Sequence, residues 1–224
     1  MTLLAKDVLV VIPAFNEERS IAGVVQAVRS AGHELVVVSD GSSDGTVAEC
    51  RRTGARVLQL PINLGVGGAL RTGFQYACRR GFSAVVQVDA DGQHDPGQIA
   101  ELIRIANETG ADLVLGSRFR SEGTTMKVGS LRRFVMRILA ASASVAARTR
   151  ITDATSGFRL IRRPLLDQLS VDLATNYLGD TYESIIMSGR AGYRICEVAV
   201  SMSDREHGMS SASVMDAEIG RAHV

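Results

Sequence analysis

The chain is predicted to fold as α/β: one domain, residues 1–224, on a mostly parallel central sheet flanked by helices. Three observations carry this expectation. A length of 224 residues suits one large domain with a substantial core and would cramp two. A composition of 46% hydrophobic and 22% charged residues with a formal net charge of +1 belongs to globular chains, and that charge points to no nucleic-acid partner. Through residue 117, short apolar runs alternate with helical patterns, the order expected of βαβ units.

The elements follow in order. Apolar runs at 8–13, 34–39, 56–60, 84–88 and 112–115 are short enough for strands. Between them, 18–30, 46–53, 67–79 and 96–109 carry helical spacing. Asp44 can cap the second helix, and Pro96 opens the fourth in its first turn, where proline is tolerated. Past residue 117, segments 157–162 and 193–200 have strand character, with a helix over 182–189 between them.

In such sheets, ligand-binding loops lie beyond the carboxyl ends of the strands. Four polar clusters fall there: Pro13-Ala14-Phe15-Asn16-Glu17, then 40–45 (Asp-Gly-Ser-Ser-Asp-Gly), then 63–68 around Gly65 and Gly67, then Asp89-Ala90-Asp91. They share one rim. If the fourth strand stays extended through residue 91, alternate side chains Asp89, Asp91 and Gln93 face one ion together. Oxygen-only ligands suit Mg²⁺ or Mn²⁺, held with substrate phosphates. The same residues also suit a plain turn, since Asp, Gly, His and Pro all favour loops.

Segment 118–150 is different. It holds eight basic residues against Glu122 alone, and Leu131, Phe134, Val135, Ile138, Leu139 and Val145 recur at helical spacing. An apolar stripe flanked by Arg133, Arg137 and Arg148 suits an anionic membrane surface, and equally a core-facing helix with a solvated basic face. Cys50, Cys78 and Cys196 lack metal spacing and are odd in number, so buried reduced thiols and a cytoplasmic setting are expected. The N-terminal MTLLAKDV has no signal-peptide core, and no apolar segment approaches the roughly 20 residues of a membrane span, so any membrane contact, at the inner face, would be peripheral. His33 and His223 have the pattern of surface residues, His94 closes the loop after Asp91, and His207 falls near Arg205 in the chain.

With the motifs VVIPAFNEE, VVVSDGSSDGT, NLGVGGALRTGF, DADGQHDP, GSRF, TDATSGFRLIRR and YRICEVAV in this order, followed by Arg205, Gly208 and Ser210, the chain resembles the family 2 inverting glycosyltransferases of the GT-A fold. Within them it is most similar to the dolichol-phosphate mannose synthase group of polyprenyl-phosphate hexose transferases. The resemblance implies that residues 1–117 form a nucleotide-sugar and metal half and 118–224 an acceptor half. It implies that Pro13, Phe15, Glu17, Asp40 and Gly67 line the nucleotide, and that Asp89, Ala90 and Asp91 meet the diphosphate. Asp89, Asp91 and Gln93 would hold Mg²⁺ or Mn²⁺, with Arg205 adding a cation. Arg118 and Arg133 match positions that grip a lipid phosphate, and Asp153 the position often assigned as general base. The implied partners are a nucleotide sugar of the GDP-mannose or UDP-glucose type and a polyprenyl phosphate at a peripheral membrane surface. Phe15 stands where many relatives have Tyr, which keeps ring packing and loses a phenolic hydrogen bond. The stretch 179–183 departs from the acidic run common before the late helix, and acceptor contacts near Glu183 stay open.

Two other classes compete. A dinucleotide-binding dehydrogenase is suggested by Gly65-Val66-Gly67, yet that run follows the third strand and lacks the final Gly or Ala of the fingerprint. A non-catalytic nucleotide-sugar binder would not need Asp89, Asp91, Asp153 and Arg205 together. Within the transferases, a saccharide hydroxyl is the alternative acceptor.

Overall fold

A computed structural model describes residues 2–117, 130–173 and 180–201, with side chains described outside 130–137 and residue 180. After a 3-10 turn at Ala5–Asp7 come β1 (Val8–Ala14), α1 (Ile21–Ser30), β2 (Glu34–Asp40), α2 (Thr46–Arg52), β3 (Arg56–Leu60), α3 (Val66–Arg79) and β4 (Ala84–Gln87). Then follow a 3-10 turn at Pro96–Gln98, α4 (Ile99–Thr109), β5 (Leu113–Ser117), α5 (Ser130–Ala147), β6 (Arg159–Arg162), α6 (Leu165–Asp172), α7 (Asp180–Arg190) and β7 (Ile195–Ala199).

The strands form one seven-stranded sheet in the order β3-β2-β1-β4-β6-β5-β7. All neighbours pair in parallel except β6, which runs antiparallel to both β4 and β5. This is the mostly parallel α/β sheet expected. Reversal of β6 has a positional consequence: its first residue, Arg159, pairs with Gln87 at the end of β4. The loop that enters β6 therefore arrives at the rim where the parallel strands end.

Strands β1, β2 and β4 are buried on both faces, which explains their unbroken apolar runs. Alternate side chains serve opposite layers. Val8, Val10 and Ile12 join a core with α1 and α4, whereas Leu9 and Val11 join one with α3, α6 and the inner side of α5. Gly73 lets α3 settle on β1, because a Cβ there would collide with Val11 Cγ1. Gly189 does the same where α7 crosses the backbone of Ala146 in α5.

Several expectations are corrected. The first helix starts at Ile21, not residue 18, because Asn16–Ser20 are held by loop hydrogen bonds. The fourth begins as a 3-10 turn, with Asp95 accepting the Gly97 N–H at 2.8 Å. His33 is buried at 8% exposure rather than lying on the surface, and burial lowers its pKa. The helix α6, unassigned in the sequence, packs Leu165, Leu166 and Leu169 into the core. On α5, Ala143 and Ala147 face inward, while Ile138 and Val145 are 52% and 81% exposed. So these two residues do not form a core-facing stripe. Cys50 is buried and Cys78 and Cys196 half-buried, all as thiols, and burial pushes the Cys50 thiol up to about 11. Among the described residues no helix is long and apolar enough to cross a membrane.

Candidate active site

The loops after β1 and β2 interlock through their own polar side chains. Asn16 adopts a positive φ of 56°, a conformation asparagine tolerates. Its Oδ1 accepts the Ser43 N–H at 2.9 Å, and its own N–H donates to Ser42 Oγ at 3.2 Å. The Glu17 N–H donates to Thr46 Oγ1 at 2.8 Å, the Glu18 N–H to Asp44 Oδ2 at 3.2 Å, and the Gly45 N–H to Glu18 Oε2 at 2.9 Å. Burial alone would raise the Asp44 carboxyl. Hydrogen bonds from the Thr46 hydroxyl and from the N–H groups of Thr46 and Glu18 outweigh it and hold the carboxyl below its ordinary value. Most acidic residues of these two motifs therefore build the rim. Glu17 accepts from Ser20 Oγ at 2.7 Å, Pro13 is half-buried and Phe15 is 41% exposed.

Asp40 ties the third loop to the second. It is 3% exposed, and Oδ1 accepts the Leu64 N–H at 2.7 Å. Burial pushes its carboxyl up, opposed by the N–H groups of Leu64 and Gly65. Gly41, at φ +68°, lets the two loops touch: a Cβ there would lie 2.6 Å from Asn63 N. Gly67 is buried in the first turn of α3. Ile62 and Leu64 leave an apolar, solvent-open surface near Asp40.

The fourth loop corrects the sequence reading in one respect. The strand ends at Gln87, and residues 90–91 form a turn, so extended backbone does not carry Asp89, Asp91 and Gln93 to one side. The turn separates the two carboxylates by environment. Asp91 is 6% exposed and its Oδ1 accepts the Gln93 N–H at 3.1 Å, with Gly92 at φ +77° closing the bend over buried Ala90. The Asp89 side chain is 37% exposed. Its N–H donates to His94 Nδ1 at 3.2 Å, which fixes the buried imidazole under the loop, stacked on Phe158 at 5.1 Å between centroids.

Asp89 also meets the loop entering β6. A Cβ on Gly157 would sit 2.5 Å from Asp89 Oδ2 and 2.6 Å from Oδ1, so glycine admits the carboxylate against that backbone. Four residues earlier in the same loop is Asp153, 1% exposed. Its Oδ1 accepts from Thr155 Oγ1 at 3.0 Å, and its N–H donates to Glu197 Oε1 at 2.8 Å. Glu197 also accepts from Thr152 N–H and Oγ1, and Thr152 contacts Ser117 Oγ at 2.9 Å. The rim thus joins the ends of β4, β5, β6 and β7. Arg118 and Arg205 lie outside the described residues, as does the side chain of Arg133.

Among the described residues no group of three or more His, Cys, Asp or Glu side chains could hold a metal. Asp89, Asp91 and Gln93 each offer a side-chain oxygen, and no nitrogen or sulfur ligand is needed among them. Such a set fits a hard divalent cation that completes its coordination with substrate phosphates. Gln87, Gly157, Arg159 and Glu197 were not singled out in the sequence, although a Gln inside VVQVD and an Arg inside GFRLI are polar interruptions of apolar runs.

An open α/β sheet with polar loops at its carboxyl rim and an acidic turn among them places polar groups where sheets of this kind bind their ligands. Residues 9–170 match Glycosyl transferase family 2. The chain belongs to that family: it is a glycosyltransferase of the GT-A fold. It is 33% identical over 220 residues to the polyprenol monophosphomannose synthase of Mycolicibacterium smegmatis, covering 92% of this chain and 80% of that protein. It is 31% identical to the undecaprenyl-phosphate mannosyltransferase of Micrococcus luteus, covering 92% and 87%. The fold is similar to glucosyl-3-phosphoglycerate synthase from Mycobacterium tuberculosis, solved with Mn²⁺ and UDP, at TM-score 0.68 and 21% identity over 95% of this chain and 76% of that one.

Proposed function

We propose that this protein transfers a hexose, with inversion, from a nucleotide diphosphate sugar to a polyprenyl phosphate at a membrane surface. The observation that carries the proposal is the half-open Asp89 carboxylate beside buried Asp91, packed against the loop that bears Asp153. Residues 1–117 form the donor half, and the later chain the acceptor half.

Transfer places new negative charge on the departing diphosphate. Asp89, Asp91 and Gln93 would hold Mg²⁺ or Mn²⁺ there, and a cation so bound would offset that charge electrostatically. Arg205 adds a second positive group. Pro13, Phe15, Glu17, Asp40 and Gly67 shape the nucleoside end, with Asp40 acting through the loop it pins at Leu64.

Arg118 and Arg133 take the acceptor phosphate. A phosphate monoester has its second pKa near about 6 and is mostly dianionic at pH 7, so it needs little deprotonation before attack. Asp153, nearly inaccessible and clamped through its backbone by Glu197, therefore orients the acceptor or its arginines. The exposed Ile138 and Val145, two turns apart on α5 with exposed Arg148 beyond them, support contact with an anionic membrane surface.

The test is a partition assay. Labelled GDP-mannose and UDP-glucose are incubated with protein, Mg²⁺ or Mn²⁺, and either polyprenyl phosphate or soluble saccharides. Label extracted into organic solvent with polyprenyl phosphate alone is the expected result. Label transferred only to saccharides would replace the lipid acceptor by a sugar hydroxyl, and no transfer from any nucleotide sugar would favour a binding protein.

A further inference from the structure

We propose that Gln87 and Arg159 are positioning residues that aim the Asp89 carboxylate at the donor's cation. The inference rests on the donor-site reading above and concerns residues to which that reading gives no role. Gln87 is 2% exposed, in a strand whose other residues are apolar, and β4–β6 pairing sets it directly opposite Arg159. Its Oε1 accepts from Arg159 Nε at 2.9 Å and its Nε2 donates to Asp89 Oδ1 at 3.2 Å. Only one orientation of the amide satisfies both neighbours, because a guanidinium can only donate and an ionised carboxylate can only accept. Arg159 therefore sets which way the amide points, and the amide sets where Asp89 points.

The guanidinium is itself anchored. Arg159 is fully buried, and its Nη1 donates to Ser184 Oγ at 2.5 Å and to the Thr181 carbonyl at 3.5 Å, in the first turns of α7. Burying a charge is costly unless hydrogen bonds compensate it, so a full-length arginine inside a sheet calls for a reason beyond packing. The line from α7 through Arg159 and Gln87 to Asp89 supplies one. It ties a carboxylate that is 37% exposed, with His94 Nε2 3.9 Å from its Oδ2 and the Gly157 backbone beside it, to three rigid elements. The amide occupies one lone pair of Oδ1 and leaves the others for a cation. Partners that orient metal-binding groups in this way change metal affinity about 10–100-fold when removed.

The test separates aim from stability. The double variant Gln87→Leu/Arg159→Met removes both polar partners at once, which proteins often accept with little loss of stability. Binding of Mn²⁺ is followed by its electron spin resonance signal in the presence of UDP or GDP, alongside a thermal melt, with Asp89→Ala as control. The expected result is a melt close to wild type, a Mn²⁺ dissociation constant raised at least tenfold, and loss of that binding in Asp89→Ala. A folded double variant that binds Mn²⁺ within twofold of wild type overturns the proposal. Should the double variant not fold, Gln87→Asn carries the same test, since an amide shorter by one methylene cannot span both partners. It too is expected to weaken Mn²⁺, and unchanged binding overturns the proposal. Asp89→Ala that binds like wild type, or wild type that binds no Mn²⁺ with either nucleotide, overturns the donor-site reading and this inference with it.

Discussion

Replacing Gly157 by alanine adds one methyl group to a crowded point of the site. The new Cβ would lie 2.5, 2.6 and 2.9 Å from Asp89 Oδ2, Oδ1 and Cγ. Ordinary contact begins near 3.4 Å, so the carboxylate must retreat by about 0.9 Å or the loop must lift. Gly157 is not among the glycines with positive φ, so alanine meets no backbone strain there and the effect falls on the carboxylate. Misplacement of a reacting or binding group by about 1 Å costs on the order of 10²-fold in rate. Gly157→Ala should therefore lower kcat about 100-fold in the extraction assay, while its thermal melt stays near wild type because no buried apolar contact is lost. A variant within threefold of wild-type turnover would refute the claim that the close approach of Gly157 to Asp89 matters for transfer.

Other outcomes follow from the same geometry. Asp153→Asn should cost only about tenfold in kcat, as expected of an orienting group, whereas a loss of 10³ or more would identify a general base. Asp44 is held below its ordinary value, so its contribution is complete above the unfolded value of about 3.9 and is lost as pH falls through the lower folded value. Asp44→Ala should destabilise by about 0.5–1.5 kcal/mol at pH 7 through loss of its hydrogen bonds from the Thr46 and Glu18 N–H groups, with the difference shrinking below about pH 4 in denaturant titrations. A gap between Asp44→Ala and wild type that widens in acid would contradict the assignment. Ile138→Ser with Val145→Ser should weaken sedimentation with anionic vesicles at least fivefold and leave the melt unchanged, since both residues are exposed.

The sheet is legible because its central strands are buried on both faces and keep unbroken apolar runs, as in 8–13 and 35–38. The rim was legible because its loops carry side chains that bond within a few residues or to the neighbouring loop, as Asp44 does to Thr46. What stayed hidden depends on partners distant in sequence. Gln87 and Arg159 meet 72 positions apart, and only the antiparallel entry of β6 brings them together. Glu197 reaches Thr152 from β7, 45 positions away, and no local pattern marks it as a clamp. The extension expected through Asp91 failed for a local reason: Gly92 at positive φ and the Asp91–Gln93 hydrogen bond bend the chain soon after Gln87. The burial of His33 is hidden in the sequence because polarity alone does not reveal it.

The central claim is that the Asp89–Asp91 turn is the diphosphate end of a donor site. Calorimetric titration of GDP-mannose and UDP-glucose into the protein, with and without Mn²⁺, tests it most directly. Saturable binding of one donor that requires Mn²⁺ and disappears in Asp89→Ala is the expected result. Donor binding that is equally tight without the cation and in Asp89→Ala would contradict it.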